Sequence, residues 1–108
     1  MKKYESISAV EAQGLIALGG CLIFDVRTAP EFFAHRIEGA RLLPIQEINV
    51  RHGEIPRDSE AKLLIVCEHG IRSVTTCEVL GESGWRNLVN VAGGMAAWMA
   101  AGLPVVNG

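Results

Sequence analysis

The sequence predicts an α/β layer fold built on a mostly parallel sheet, and three observations lead there. Short apolar runs alternate with capped or amphipathic helical segments, the order that builds strand-helix-strand units. Two of the runs, "CLIFDV" (Cys21–Val26) and "KLLIVC" (Lys62–Cys67), are apolar almost throughout, as strands buried on both faces must be. The elements follow one another over 108 residues without linker, low-complexity segment or internal repeat, so residues 1–108 read as a single domain.

The elements run as follows. "YESIS" (Tyr4–Ser8) is a short first strand. Ser8 then stands as an N-cap, with Glu11 three residues on to complete a capping box. Ala9, Ala12, Leu15, Ile16 and Leu18 share one helical face, and Gly19 and Gly20 end that helix. "CLIFDV" is the second strand and closes on Asp25. Thr28, Pro30 and Glu31 mark the next helix start, which "EFFAHR" (Glu31–Arg36) continues. "ARLLP" (Ala40–Pro44) is a third strand stopped by its proline, and "IQEINVRH" (Ile45–His52) a modest helix ending at Gly53. A polar, turn-rich stretch (Glu54–Ala61) leads to the fourth strand, "KLLIVC". "RSVTTCEVLGES" (Arg72–Ser83) is a helix ending near Gly84, and "NLVNVAG" (Asn87–Gly93) a fifth strand. "GGMAAWMAAG" (Gly93–Gly102) closes the series as a helix, with Gly102 and Pro104 as stop signals.

Composition narrows the functional classes. A hydrophobic fraction of 49% and a charged fraction of 20% describe a folded globular chain. The net charge of -2 and the lack of any Lys/Arg run disfavour nucleic acid as a partner. Three cysteines without paired spacing do not make a secreted disulfide framework. With no C-x-x-C and three scattered histidines, no metal site is expected. The basic start "MKK" and "LGGC" (Leu18–Cys21) resemble a bacterial lipoprotein signal, but Glu5, Glu11 and Gln13 interrupt its apolar region. No stretch approaches the roughly 20 apolar residues of a membrane span. A cytoplasmic location without membrane contact is the expectation.

The chemistry concentrates in "CEHGIRS" (Cys67–Ser73). Ligands in open parallel sheets bind beyond the carboxyl ends of the strands, where Asp25 and Cys67 both sit. A loop between a strand end and a helix start points backbone N–H groups into a small space that favours negative charge. The same field favours the thiolate of Cys67, the nucleophilic form. Gly70 permits a backbone shape or approach that a Cβ forbids. Arg72 adds a permanent charge and a forked donor suited to an oxyanion. Ser73 is placed to donate to the sulfur or to cap the following helix. A cysteine at a strand end is more often an inert core residue, but strand, Gly, Arg and helix together favour a functional thiol. Cys21 and Cys77 carry no such surroundings and read as packing residues, as do Met95 and Trp98. Asp25 and Arg27 read as an ion pair or cap bracing the strand end beside the loop.

Four segments in order make the chain resemble a single-domain rhodanese of the sulfurtransferase family. They are "IFDVRTAPEF" (Ile23–Phe32), "HRIEGARLLP" (His35–Pro44), "CEHGIRS" with Ser73 just after the six-residue loop, and "VAGGMAAWMAAGLPV" (Val91–Val105). The resemblance implies a three-layer α/β/α fold whose five-stranded parallel sheet has the order 3-2-4-5-1. It implies a ping-pong sulfur transfer in which Cys67 takes the outer sulfur of a donor such as thiosulfate, holds it as a persulfide and passes it to cyanide, a thiol or a protein. It implies substrate contacts from Glu68, His69, Gly70, Ile71, Arg72 and Ser73, a supporting role for Asp25 and Arg27, and no metal or organic cofactor. Arg36 and Glu38 depart from the His and Pro common in the family, at positions not expected to do chemistry. Glu68 is the larger departure, because a carboxylate in an anion pocket opposes a dianionic donor unless it faces solvent or pairs with Arg72. His69 is expected to be a solvated loop residue.

Two other functions compete. Relatives that act as phosphatases or arsenate reductases place five residues between Cys and Arg; here Glu68–Ile71 make four, and the smaller loop suits one sulfur better than a tetrahedral oxyanion. A non-enzymatic sulfur-relay or redox-sensing module is the other alternative, and the intact Cys67 loop argues against it.

Overall fold

The apolar strands pair side by side, and the parallel registers put their carboxyl ends at one rim. The computed structural model describes residues 2–108. Strand β1 (Glu5–Ile7) leads to helix α1 (Ala9–Leu18), and β2 (Cys21–Asp25) to α2 (Ala29–Ala34). Two short strands follow, β3 (His35–Arg36) and β4 (Arg41–Leu42). Helix α3 (Ile48–Arg51) is flanked by 3-10 turns at Ile45–Glu47 and His52–Glu54. Then come β5 (Lys62–Val66), α4 (Ile71–Glu82), β6 (Leu88–Val91), α5 (Gly94–Ala100) and β7 (Val106–Asn107).

The main sheet is parallel, in the order β4-β2-β5-β6-β1. Counting only its own five strands along the chain, that is 3-2-4-5-1; the labels differ because β3 and β7 form a separate antiparallel pair. In the β2–β5 register Cys21 lies opposite Lys62 and Asp25 opposite Val66. The two strands therefore end level, and Cys67 projects one residue beyond the pair. The Val26 N–H donates to the Val66 carbonyl at 2.9 Å and carries the ladder to that edge.

Alternation along β5 separates two cores. Leu63, Ile65 and Cys67 face a cluster with Phe24, Ile48, Ile55, Cys77 and Leu80, on the α3/α4 side. Leu64 and Val66 face Ala9, Ala12, Ile23, Met95 and Trp98, on the α1/α5 side. The Cys67 side chain is thus committed by strand parity to the face that α4 covers. Both expected capping boxes form: Ser8 with Glu11 at the start of α1, and Thr28 with Glu31 at the start of α2. Pro30 sits in the first turn of α2, where its missing N–H costs nothing.

The structure corrects three element boundaries. The helix expected over Glu31–Arg36 stops at Ala34. His35 is extended (φ -163°, ψ 145°), which lets His35 and Arg36 pair with β7 and delivers Ile37 into the α1/α5 core. The helix expected over Ile45–His52 breaks into a 3-10 turn, one α turn and another 3-10 turn, with no side chain capping any of them. Arg51 holds that segment instead, through Glu47, Glu54 and the Leu42 carbonyl. The fourth helix begins at Ile71, with Gly70 in the cap position. Among the described residues no helix is long and apolar enough to cross a membrane.

Cys77 is fully buried in the α4-side core, and its thiol is pushed up to about 12, first by burial and then by the Glu78 charge. Iodoacetamide treatment of the native protein at pH 8, followed by peptide mass spectrometry, is expected to leave Cys77 unmodified until the chain is unfolded. Rapid native alkylation of Cys77 would contradict this packing.

Candidate active site

Cys67 ends β5 and its sulfur lies at the floor of the loop Glu68–Gly70, with the residue only 1% exposed. Two backbone donors point at it: the Gly70 N–H at 3.0 Å and the Ser73 N–H at 3.3 Å. Such aligned donors favour negative charge on the sulfur. Gly70 adopts φ 89°, a left-handed shape, to turn its N–H inward. Ser73 lies in the first turn of α4 and does not cap it. Its hydroxyl accepts from the Cys67 thiol at 3.3 Å and donates to Asn90 Oδ1 at 2.6 Å. Asn90, in turn, donates to the Ser6 hydroxyl at 3.2 Å. Asn90 is a site residue that sequence reasoning missed. Its signal was a polar side chain inside an otherwise apolar strand, where a buried amide must find partners.

The loop is held from behind by α5. The Met95 N–H donates to the Cys67 carbonyl at 2.8 Å and the Ala96 N–H to the Glu68 carbonyl at 2.9 Å. A trans peptide sends its N–H opposite to its carbonyl, so the N–H groups of Glu68 and His69 turn away from α5. Neither takes part in any backbone bond among the described residues. This contact requires Gly94 (φ 59°): a Cβ there would overlap the Cys67 carbonyl oxygen and lie 2.7 Å from the Glu68 carbonyl carbon. In the sequence the Gly pair marks only the start of the last helix; its close approach to the loop comes from the tertiary fold.

The charges divide differently from the sequence expectation. Arg27 and Asp25 are both fully buried and joined by Arg27 Nε to Oδ1 (3.0 Å) and Oδ2 (3.1 Å), and by Nη2 to Oδ2 (2.8 Å). Arg27 Nη2 also donates to the His35 carbonyl at 2.7 Å, and Nη1 to Glu68 Oε1 at 3.1 Å. Glu68 therefore pairs with Arg27 rather than with Arg72. The Arg72 fork, expected to face an oxyanion, is closed on Glu31 by parallel bonds of 2.8 and 2.9 Å. Arg72 holds the Glu31 carboxyl down to about 2 against the opposing effect of partial burial, with Thr28 adding hydrogen bonds. His69 is exposed, and Ile71 is 76% exposed at the loop's outer edge.

Residues 8–101 match the rhodanese-like domain family. The chain belongs to that family. Among its relatives, the protein named sulfurtransferase in Allochromatium vinosum is 38% identical over 85 residues, covering 79% of this chain and 78% of that protein. The thiosulfate sulfurtransferase GlpE of Actinobacillus succinogenes is 32% identical over 104 residues, covering 94% and 90%. The crystal structure of a rhodanese-related protein from Thermoplasma volcanium superposes with a TM-score of 0.86 at 32% identity, over 95% of this chain and 98% of that one. The α/β class read from the sequence is that of the rhodanese-like fold.

Two outcomes follow from this geometry. Gly94→Ala is expected to destabilise the fold by at least about 1 kcal/mol, the low end for overpacking, and to disturb the Cys67 loop. Urea unfolding with Cys67 alkylation rates measures both, and an unchanged protein would contradict the close contact. Glu31→Gln keeps the helix cap but removes the charge. The Glu31–Arg72 contribution is present above the ordinary carboxyl value of 4.5 and is lost as pH falls towards about 2. The stability advantage of the parent over Glu31→Gln should therefore be full at pH 6 and close between pH 4.5 and 2. A difference that stays constant across that window would contradict the ion pair.

Proposed function

We propose that the protein is a rhodanese-type sulfurtransferase that moves a sulfane sulfur through a persulfide on Cys67. The observation that carries this reading is the sulfur of Cys67 lying under the Gly70 and Ser73 N–H groups, with the Glu68 and His69 N–H groups turned away from α5. A donor such as thiosulfate meets the Cys67 thiolate with its outer sulfur. A new S–S bond forms on Cys67, the bond to the sulfonate sulfur breaks, and sulfite leaves with the electron pair. The transferred sulfur sits among the N–H groups of residues Glu68 to Ser73, which stabilise its charge without solvent reorganisation. A thiophilic acceptor (cyanide, a thiol or a protein) then attacks that outer sulfur and returns the Cys67 thiolate. Asp25 and Arg27 brace the loop from beneath through Glu68.

Each step breaks one S–S bond and forms one new bond to the transferred sulfur (S–S with Cys67 or a thiol, C–S with cyanide), with no net oxidation, so the cycle needs no metal or organic cofactor. The four-residue spacing and the commitment of Arg72 to Glu31 favour this reading over phosphatase or arsenate reductase chemistry, which needs a free guanidinium over a tetrahedral oxyanion. Three free cysteines suit a reducing cytoplasm, with residues 1–108 acting as one domain.

Mass spectrometry of the protein incubated with a sulfane donor is the test. The parent is expected to gain the mass of one sulfur atom on Cys67, and Cys77→Ser and Cys21→Ser to gain it equally. Cys67→Ser is expected to gain none and to transfer no sulfur above background. Comparable turnover by folded Cys67→Ser would overturn the assignment.

A further inference from the structure

We propose that Glu68 makes this site selective for sulfur donors of low charge, such as alkyl persulfides carrying at most one negative charge, over dianions such as thiosulfate. The proposal rests on the sulfurtransferase reading above and names the donor class for it.

Five charged side chains are bonded into the loop or its supports: Arg27 and Arg72 against Asp25, Glu31 and Glu68. The carboxylates outnumber the cations. Each guanidinium is also already used. Arg27 is fully buried and gives its nitrogens to Asp25, Glu68 and the His35 carbonyl. Arg72 presents its fork to both oxygens of Glu31. Strong recognition of a sulfonate group uses an open guanidinium fork, and neither arginine offers one. Backbone N–H groups remain, and they suit the single charge of a persulfide sulfur.

Glu68 cannot swing away at no cost. Leaving Arg27 would strand Nη1 of a fully buried cation without its partner. The carboxylate is therefore a fixed negative charge beside the cradle, opposing a dianion twice as strongly as a monoanion. At the outer edge of the loop stands Ile71, 76% exposed, an apolar side chain where a dianion would be served by a cation. It suits the alkyl group of a persulfide instead.

The reaction balances with such a donor. The Cys67 thiolate attacks the outer sulfur of R–S–SH, the Cys67–sulfur bond forms, the R–S to sulfur bond breaks, and R–S⁻ leaves with the electron pair. No oxidant or reductant is consumed, and the same Cys67 persulfide results.

The test compares steady-state sulfur transfer to cyanide from thiosulfate and from 2-hydroxyethyl persulfide, in the parent and in Glu68→Gln. Gln keeps an oxygen for Arg27 and removes the charge. The parent is expected to favour the persulfide in kcat/KM. Glu68→Gln is expected to shift the ratio of kcat/KM for thiosulfate to that for the persulfide about tenfold towards thiosulfate, mainly through the thiosulfate KM. In the parent alone, added KCl should raise kcat/KM for thiosulfate, because screening relieves repulsion, and hardly change it for the persulfide. That second measurement holds even if Glu68→Gln does not fold. An unchanged donor ratio in folded Glu68→Gln, or a thiosulfate rate that falls with salt, would overturn the role of Glu68 while leaving sulfur transfer intact. Failure of both donors to load Cys67 would overturn the sulfurtransferase reading itself, and the donor selectivity with it.

Discussion

The active loop depends on a backbone contact made by another part of the chain. Two N–H groups at the start of α5 take the carbonyls of Cys67 and Glu68, and that choice turns the opposite ends of the same peptides away from α5. A helix start has N–H groups with no intrahelical partner, so using them on the loop satisfies both sides at once. The contact is possible only because Gly94 has no Cβ to meet the Cys67 carbonyl. Gly70 completes the arrangement on the other side: its left-handed backbone aims one N–H at the sulfur and starts α4 directly behind it. The cradle is thus mostly backbone, held between the ends of two helices and the carboxyl end of β5.

The charged residues form a second layer of constraint. Burying an ion pair such as Asp25–Arg27 removes two charges from water, a cost that only complete hydrogen bonding offsets. Here both carboxylate oxygens and all three guanidinium nitrogens have partners. The pair fixes the end of β2 to the backbone of His35 and to the side chain of Glu68, so its value lies in geometry. The Arg72–Glu31 pair does the same between α4 and α2, and Glu31 serves at once as capping residue and counter-ion. Removing one member of the buried Asp25–Arg27 pair would leave its partner with the full cost of desolvation, whereas Glu31 and Arg72 keep about a third of their side chains in water and bear less of it.

Much of the fold was legible because it is written locally. The capping pairs Ser8–Glu11 and Thr28–Glu31 each act across three residues, and the apolar runs at Cys21–Val26 and Lys62–Cys67 mark buried strands by composition alone. What escaped depends on contacts across the chain. His35 and Arg36 continue a helical pattern but are drawn into an antiparallel pair with residues 106–107. A linear reading offered Glu68 only solvent or Arg72 and gave Arg27 to Asp25; the fold places Arg27 beneath the loop, where it also takes Glu68, and sets Glu31 against Arg72. Ser73 looked able to cap a helix, yet the helix starts two residues earlier and its hydroxyl is claimed by Asn90 and the thiol. The position of Cys67 was readable, whereas the source of its loop's rigidity, Gly94 with the start of α5, was not.

In the function proposed above, the loop N–H groups hold a sulfur carried by Cys67. Amide ¹H–¹⁵N spectra of the labelled protein, before and after loading with a sulfane donor, test it most directly. The account predicts that the largest changes fall on the backbone amides of Glu68, His69, Gly70, Ile71, Arg72 and Ser73, in the direction of stronger hydrogen bonding, and that cyanide reverses them. A loaded protein whose loop amides stay in place, or whose changes gather at Cys21 or Cys77, would contradict it.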